Sequence, residues 1–187
     1  MIRAVKKVTA NPVLDIVRLI EVIDFAAARH RNQRRKNREA SPYINHPIAL
    51  ARVLAVEAGI TDTDVLRAAI LHDTIEDTET THAELVEQFG QFIADVVSEV
   101  SDDKTLTWAD RKRAQVDHAH ALSPAARLVK VADKICNLRD VAHDPPHEWF
   151  LSRRRDYFDW AKEVVDAIGD TPPALQKLFD EVFAQRP

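Results

Sequence analysis

The chain has 187 residues, of which 45% are apolar and 30% charged, with a formal net charge of −4. That length suits one sizeable core and leaves no room for a second catalytic domain. The acidic balance offers no general attraction to nucleic acid, and no apolar run approaches the roughly 20 residues that span a bilayer. With only three Gly and no alternating Val, Ile or Thr segments, the composition predicts an all-α fold. The single Cys136 excludes an internal disulfide and suits a reducing cytoplasm. The first residues, from Met1 to Lys7, are basic but lack the apolar centre of a secretory signal.

Asn11 and Pro12 read as an N-cap and first helical residue, and Val13, Val17, Ile20 and Ile23 recur at helical spacing, so a long first helix is expected to reach about His30. Positions 29–38 then hold six Arg or Lys residues beside His30. This basic island suits either a solvated helix end or a cradle for a phosphate-rich ligand. The turn through Pro42, Tyr43, Ile44, Asn45, His46 and Pro47 feeds a second helix that stops at Gly59, which stands His46 at a helix entrance. Thr61 or Asp62 caps a third helix that delivers His72 and Asp73.

The run from Leu71 to Asp77 carries His72, Asp73, Glu76 and Asp77. If it is one continuous helix, these four fall within roughly 140° of arc and share a side. Three clustered carboxylates repel one another, and a bound cation is the economical way to offset that repulsion. Thr81 to Glu84 reads as a capping box, and the helix it opens breaks at Gly90. Phe92, Ile93, Val96, Val97 and Val100 form a core stripe, after which residues 101–105 read as a polar loop, either a plain connector, the reading preferred, or the border of a cleft. A helix from Trp108 to Ala121 follows; His118 and His120, two apart, cannot share a face and are not assigned to metal. Ser123 and Pro124 open a helix whose apolar run is interrupted by Asp133 and, one turn on, by Asn137. An Asp among such neighbours is expensive to bury unpaired, which marks Asp133 as a ligand candidate. Cys136 is expected to be packing, and Arg139 to reach a phosphate or pair with Asp140. A long helix is expected from about His147 to Gly169, and Thr171, Pro172 and Pro173 begin a last one over about 172–185.

His46, His72, Asp73 and Asp133 form a mixed nitrogen and oxygen set that suits Mn²⁺, Fe²⁺ or Zn²⁺ better than Mg²⁺. Such an ion with an open position activates water, and Glu76 and Asp77 are placed to position or deprotonate it. These four residues match the H…HD…D pattern of the HD metal-dependent phosphohydrolases. More specifically, Arg35-Lys36, the residues from Tyr43 to Pro47, those from His72 to Asp77 and those from Val131 to Arg139 resemble the hydrolase domain of RelA/SpoT alarmone enzymes. Stand-alone small alarmone hydrolases carry the same blocks.

The resemblance covers roughly residues 20 to 165 and implies a single HD-type helical domain with a core over about 12–168. It implies one Mn²⁺ on His46, His72, Asp73 and Asp133, and removal of the 3′-pyrophosphate from (p)ppGpp, with Glu76 and Asp77 handling the water. It places Arg35 and Lys36 beside the base and has Asn137 and Arg139 seat the nucleotide, with Tyr43 as a contact near the site. The likeness is to the hydrolase domain alone, so synthesis is not expected. Two other readings keep the site: adenosine alarmones or the 2′-phosphate of NADPH as substrate, and a non-catalytic nucleotide-binding module. Neither oligomeric state nor a protein partner can be read from the residues.

Overall fold

The computed structural model describes residues 12–187, so the expected cap at Asn11 lies outside it. No strand occurs among the described residues, which bears out the all-α expectation. Among the described residues ten α-helices follow one another: α1 Pro12–Arg29, α2 Asn45–Arg52, α3 Thr63–Leu71, α4 Thr74–Asp77, α5 His82–Phe89, α6 Gln91–Val100, α7 Trp108–His118, α8 Pro124–His143, α9 Leu151–Ile168 and α10 Pro173–Phe183.

Several of the expected punctuation signals work as chemistry says they should. The Asp62 carboxylate accepts from the backbone N–H groups of Asp64 and Val65, and the Ser123 hydroxyl accepts from that of Ala126. α2 runs on as a π-helical turn, Val53–Glu57, which stops just before Gly59, and Gly90 ends α5; the two glycines stand at φ 70° and 92°, where a β-carbon is disfavoured. The Thr81 capping box forms only in half. Its hydroxyl accepts from the Glu84 N–H, but the Glu84 carboxylate turns away to pair with Arg29 and Gln88.

The core lies between α8 and its neighbours. Val129, Ala132, Ile135 and Leu138 of α8 are fully buried, against α2, α3 and α6 on one side and α9 and α10 on the other. Phe158 of α9 is also fully buried and meets Phe183 of α10 at 6.2 Å between ring centres. Phe158→Ala is expected to lower unfolding free energy by about 3–5 kcal/mol, measured by urea denaturation, because the aromatic volume is lost where packing cannot collapse.

The helices depart from the sequence pattern in three places. On α1 the helical spacing holds, but the recurring Val13, Val17 and Ile20 are 70%, 44% and 60% exposed, while Val22 and Ala26 of the same helix are buried. Apolar residues stand on opposite sides of α1, so periodicity alone does not select the face that packs. Further on, the run from Leu71 to Asp77 is not one helix. α3 stops at Leu71, Asp73 sits at φ −97°, ψ 0°, and α4 starts afresh as a single turn. The long helix expected from His147 also begins later, at Leu151, because His147 and Glu148 form a turn in which the Trp149 N–H donates to the Pro146 carbonyl at 2.9 Å.

A candidate metal centre and its pocket

Three elements carry the central side chains. His46 enters in the first turn of α2, His72 caps the end of α3 and Asp73 follows it at the break, while Asp133 projects from the middle of α8. The four meet in space. His46 Nε2 lies 3.2 Å from Asp133 Oδ1 and 3.9 Å from Asp73 Oδ2, and His72 Nε2 lies 2.9 Å from Asp73 Oδ2 and 3.9 Å from Asp133 Oδ1. One ligand atom from each of His46, His72 and Asp133 falls within 4.8 Å of the others. Ligands held about 2.1 Å from one ion sit about 3–4 Å from each other, so these separations fit a single divalent cation. The His118 and His120 pair belongs to no such group among the described residues.

The imidazoles are prepared for ligation. His72 Nδ1 is 2.8 Å from the Ala69 carbonyl, which can only accept, so Nδ1 carries a proton and Nε2 is the atom turned toward the carboxylates, where a metal ion would displace any proton it holds. That Nε2 is buried and makes no hydrogen bond. On the far side, the Asn137 amide donates to Asp133 Oδ1 at 2.6 Å and Lys134 Nζ lies 3.3 Å from Oδ2.

The electrostatics point the same way. Burial disfavours a charge on His72, yet the Asp73 and Asp133 carboxylates overcome it and raise its pKa to about 9. Burial also pushes the two carboxyls up, but His72 and His46 hold Asp73, and Lys134 and His46 hold Asp133, well below the usual range. The cluster is a buried pair of anions that attracts positive charge, and a divalent cation answers that demand directly.

Glu76 and Asp77 share the cavity with the cluster, although the broken helix rather than a continuous face brings them there. Burial pushes Glu76 to about 7; a hydrogen bond from the Asp102 N–H at 2.9 Å opposes this, and the charges of Asp102, Asp73 and Asp77 reinforce it. Asp77 receives Lys104 Nζ at 2.6 Å. The Tyr43 hydroxyl donates to Asp73 Oδ2 at 2.6 Å and lies 3.2 Å from Asp77 Oδ2, so one phenol ties the two acids together.

The cavity encloses about 170 Å³. It adjoins a groove of about 310 Å³ that shares Arg35, Tyr43, Asp77, Asn137 and Tyr157 with it and continues past Lys36 and Trp149. Arg35 pairs with Asp140, stands 5.6 Å over the Tyr43 ring and reaches Asn137 Oδ1 at 3.4 Å. Arg139 departs from expectation. It does not pair with Asp140 but grips Glu57 with two bonds of 3.0 and 2.8 Å, and it lines a separate cavity behind His46. Asp140, one position along α8, is instead taken by Arg35.

Comparison with known proteins decides the family. Residues 23–155 match the model of the HD domain. The chain belongs to the HD-domain family. Within this family it is 50% identical over 172 residues to the human guanosine-3′,5′-bis(diphosphate) 3′-pyrophosphohydrolase MESH1, covering 92% of this chain and 96% of that protein. The zebrafish protein of the same name is 48% identical over 168 residues, covering 90% and 93%. A solved structure described as a metazoan orthologue of SpoT that hydrolyses ppGpp superposes with a TM-score of 0.87, at 44% identity and with 90% and 95% of the two chains covered.

Other residues of this HD-domain pocket escaped the sequence reading. Lys130, Lys134, Gln115 and Asp102 all line the cavity. The two lysines carried a signal, since they lie one turn apart on α8 and flank Asp133 within an otherwise apolar run. Asp102 and Gln115 carried none, because only the packing of α7 and the loop before it turns them inward. That loop, for which the sequence favours a plain connector over a cleft border, is a wall of the site.

Proposed function

We propose that the chain removes the 3′-pyrophosphate from (p)ppGpp, releasing pyrophosphate and GDP or GTP, with one Mn²⁺ held by His46, His72, Asp73 and Asp133 in a single HD-type domain. The observation that carries this reading is the buried His72 Nε2, turned toward the Asp73 and Asp133 carboxylates beside a second imidazole. The relatives named for this reaction lend it their substrate class. The mixed nitrogen and oxygen donors favour Mn²⁺, Fe²⁺ or Zn²⁺ over Mg²⁺. A cytoplasmic site of action belongs to the same reading, since (p)ppGpp is a soluble nucleotide and the one cysteine is buried and free.

A bound divalent ion would polarise a phosphoryl oxygen and lower the pKa of an adjacent water. Glu76, with its raised pKa, takes the proton from the attacking water, whose oxygen bonds to phosphorus while the 3′-oxygen leaves and is protonated. Asp77, anchored by Lys104 and Tyr43, orients that water. Tyr43 acts through Asp73 and Asp77, and Asn137 through Asp133. Arg35 and Lys36 border the groove and flank the base, where a guanidinium plane stacks well on a purine. Arg139, bound to Glu57, seats the nucleotide from the neighbouring cavity.

The test is product analysis after reconstitution with Mn²⁺, Fe²⁺ or Zn²⁺, with ppGpp, ppApp and NADPH offered in parallel. Fastest release of pyrophosphate from ppGpp with Mn²⁺ supports the reading, and faster turnover of ppApp or NADPH displaces it. Arg35→Ala is expected to raise KM for ppGpp by about tenfold and leave kcat within about threefold, as loss of ground-state contact requires. Steady-state kinetics at several substrate concentrations separate the two parameters.

A further inference from the structure

The Glu76 carboxylate is held from outside its own helix, by a route that leads back to the metal centre. Its Oε2 accepts from the backbone N–H of Asp102 at 2.9 Å. The side chain of that same Asp102 takes the Gln115 amide, with Nε2 2.7 Å from Oδ1 and 2.8 Å from Oδ2. At its other end, Gln115 Oε1 accepts from Lys134 Nζ at 2.9 Å, and Lys134 Nζ lies 3.3 Å from Asp133 Oδ2. The residues stand on four different elements: α4, the loop before α7, α7 itself and α8.

The chemistry of the two ends fixes Gln115 in one orientation. Lysine can only donate and a carboxylate can only accept, so the amide oxygen must face Lys134 and the amide nitrogen must face Asp102. Lys134 is itself held, buried and 4.2 Å over the Trp160 ring, so its ammonium does not swing freely. A loop whose N–H group must stay on a carboxylate needs such an anchor, because the rest of that segment is exposed polar chain.

We propose that Gln115 is a positioning residue, which clamps the Asp102 loop between Lys134 and Glu76 and so holds the Glu76 carboxylate in register with the metal ligand Asp133. This inference rests on the reading of Glu76 as the group that takes the proton from water. The clamp acts on the chemical step rather than on nucleotide binding, because Gln115, although it lines the cavity, has both ends of its amide taken up by Asp102 and Lys134.

The test compares Gln115→Met, Asp102→Ala, the double variant and Asp102→Asn, all Mn²⁺-loaded and assayed with ppGpp. Metal content and thermal melting are measured on each protein. Gln115→Met keeps the volume and removes both hydrogen-bonding ends, and is expected to lower kcat about 30-fold with KM within threefold and metal content unchanged. Asp102→Ala should do the same, and the double variant should fall no further than the worse single one, since both break one chain. Asp102→Asn keeps an acceptor for Gln115 and should recover most of the lost kcat. Wild-type kcat in Gln115→Met, additive losses in the double variant, or a loss of kcat that merely follows loss of metal or of folding would each overturn the clamp. If the wild-type protein itself leaves ppGpp intact, the proposed reaction fails instead, and the two failures are distinguishable.

Discussion

Asp133→Ala is expected to abolish detectable turnover while leaving the helical fold in place, read by circular dichroism and by metal analysis of the purified protein. Asp133 faces both imidazoles, at 3.2 Å from His46 and 3.9 Å from His72, and no other acid on α8 replaces it there. Loss of an outer partner of a metal ligand alone weakens metal binding by about 10–100-fold, so removal of a ligand should exceed that range. The substitution also leaves the Lys134 ammonium and the Asn137 amide without their carboxylate. Asp133→Asn keeps the shape and one acceptor, and should retain more folding stability than Asp133→Ala while still losing metal. Full metal occupancy in Asp133→Ala would remove this residue from the proposed ligand set.

Glu76→Gln should separate chemistry from metal binding. Removing a group that accepts a proton in the transition state costs on the order of 10²–10⁴ in rate, and Glu76 is not among the four proposed ligands, so metal content should hold. The pH profile gives a second reading. Burial raises the Glu76 pKa from 4.5 to about 7, and a base works only when ionised, so kcat/KM is present above that value and falls tenfold per unit below it. A bound cation favours the carboxylate and moves this limb toward acid. The limb should vanish in Glu76→Gln. For stability the sign is reversed. A carboxyl whose folded pKa exceeds its unfolded value takes up a proton on folding, so its contribution is fully present below about pH 4.5 and is lost as pH rises through about 7.

The amino-acid sequence carried the chemistry of this site further than its geometry. Helix starts at Asp62 and Ser123 and stops at Gly59 and Gly90 are local events, decided by one side chain or one backbone angle, and they fall where local rules put them. His46, His72, Asp73 and Asp133 stand out because polar groups of metal-ligand type interrupt or border apolar runs, where burial alone would be costly. What failed depends on packing. The exposed stripe of α1 and the buried one are both apolar in sequence, and only the packing of α1 against α3 tells them apart.

The break between His72 and Thr74 is tertiary in the same sense. A continuous helix would have put His72, Asp73, Glu76 and Asp77 on one arc, whereas the observed turn places His72 and Asp73 on the α8 side and lets Glu76 reach the Asp102 loop. Arg139 shows how narrow the margin is on α8. With Asp140 next to it and Glu57 across the cavity, either acid satisfies the guanidinium, and the structure gives Arg139 to Glu57 and Asp140 to Arg35.

The most direct measurement of the central claim follows ppGpp by anion-exchange chromatography with the Mn²⁺-loaded protein and with the same protein after chelation. The account predicts GDP and pyrophosphate in equal amounts from the loaded protein, none after chelation, and recovery when Mn²⁺ is restored. Intact ppGpp in the presence of a full complement of bound Mn²⁺ would contradict it.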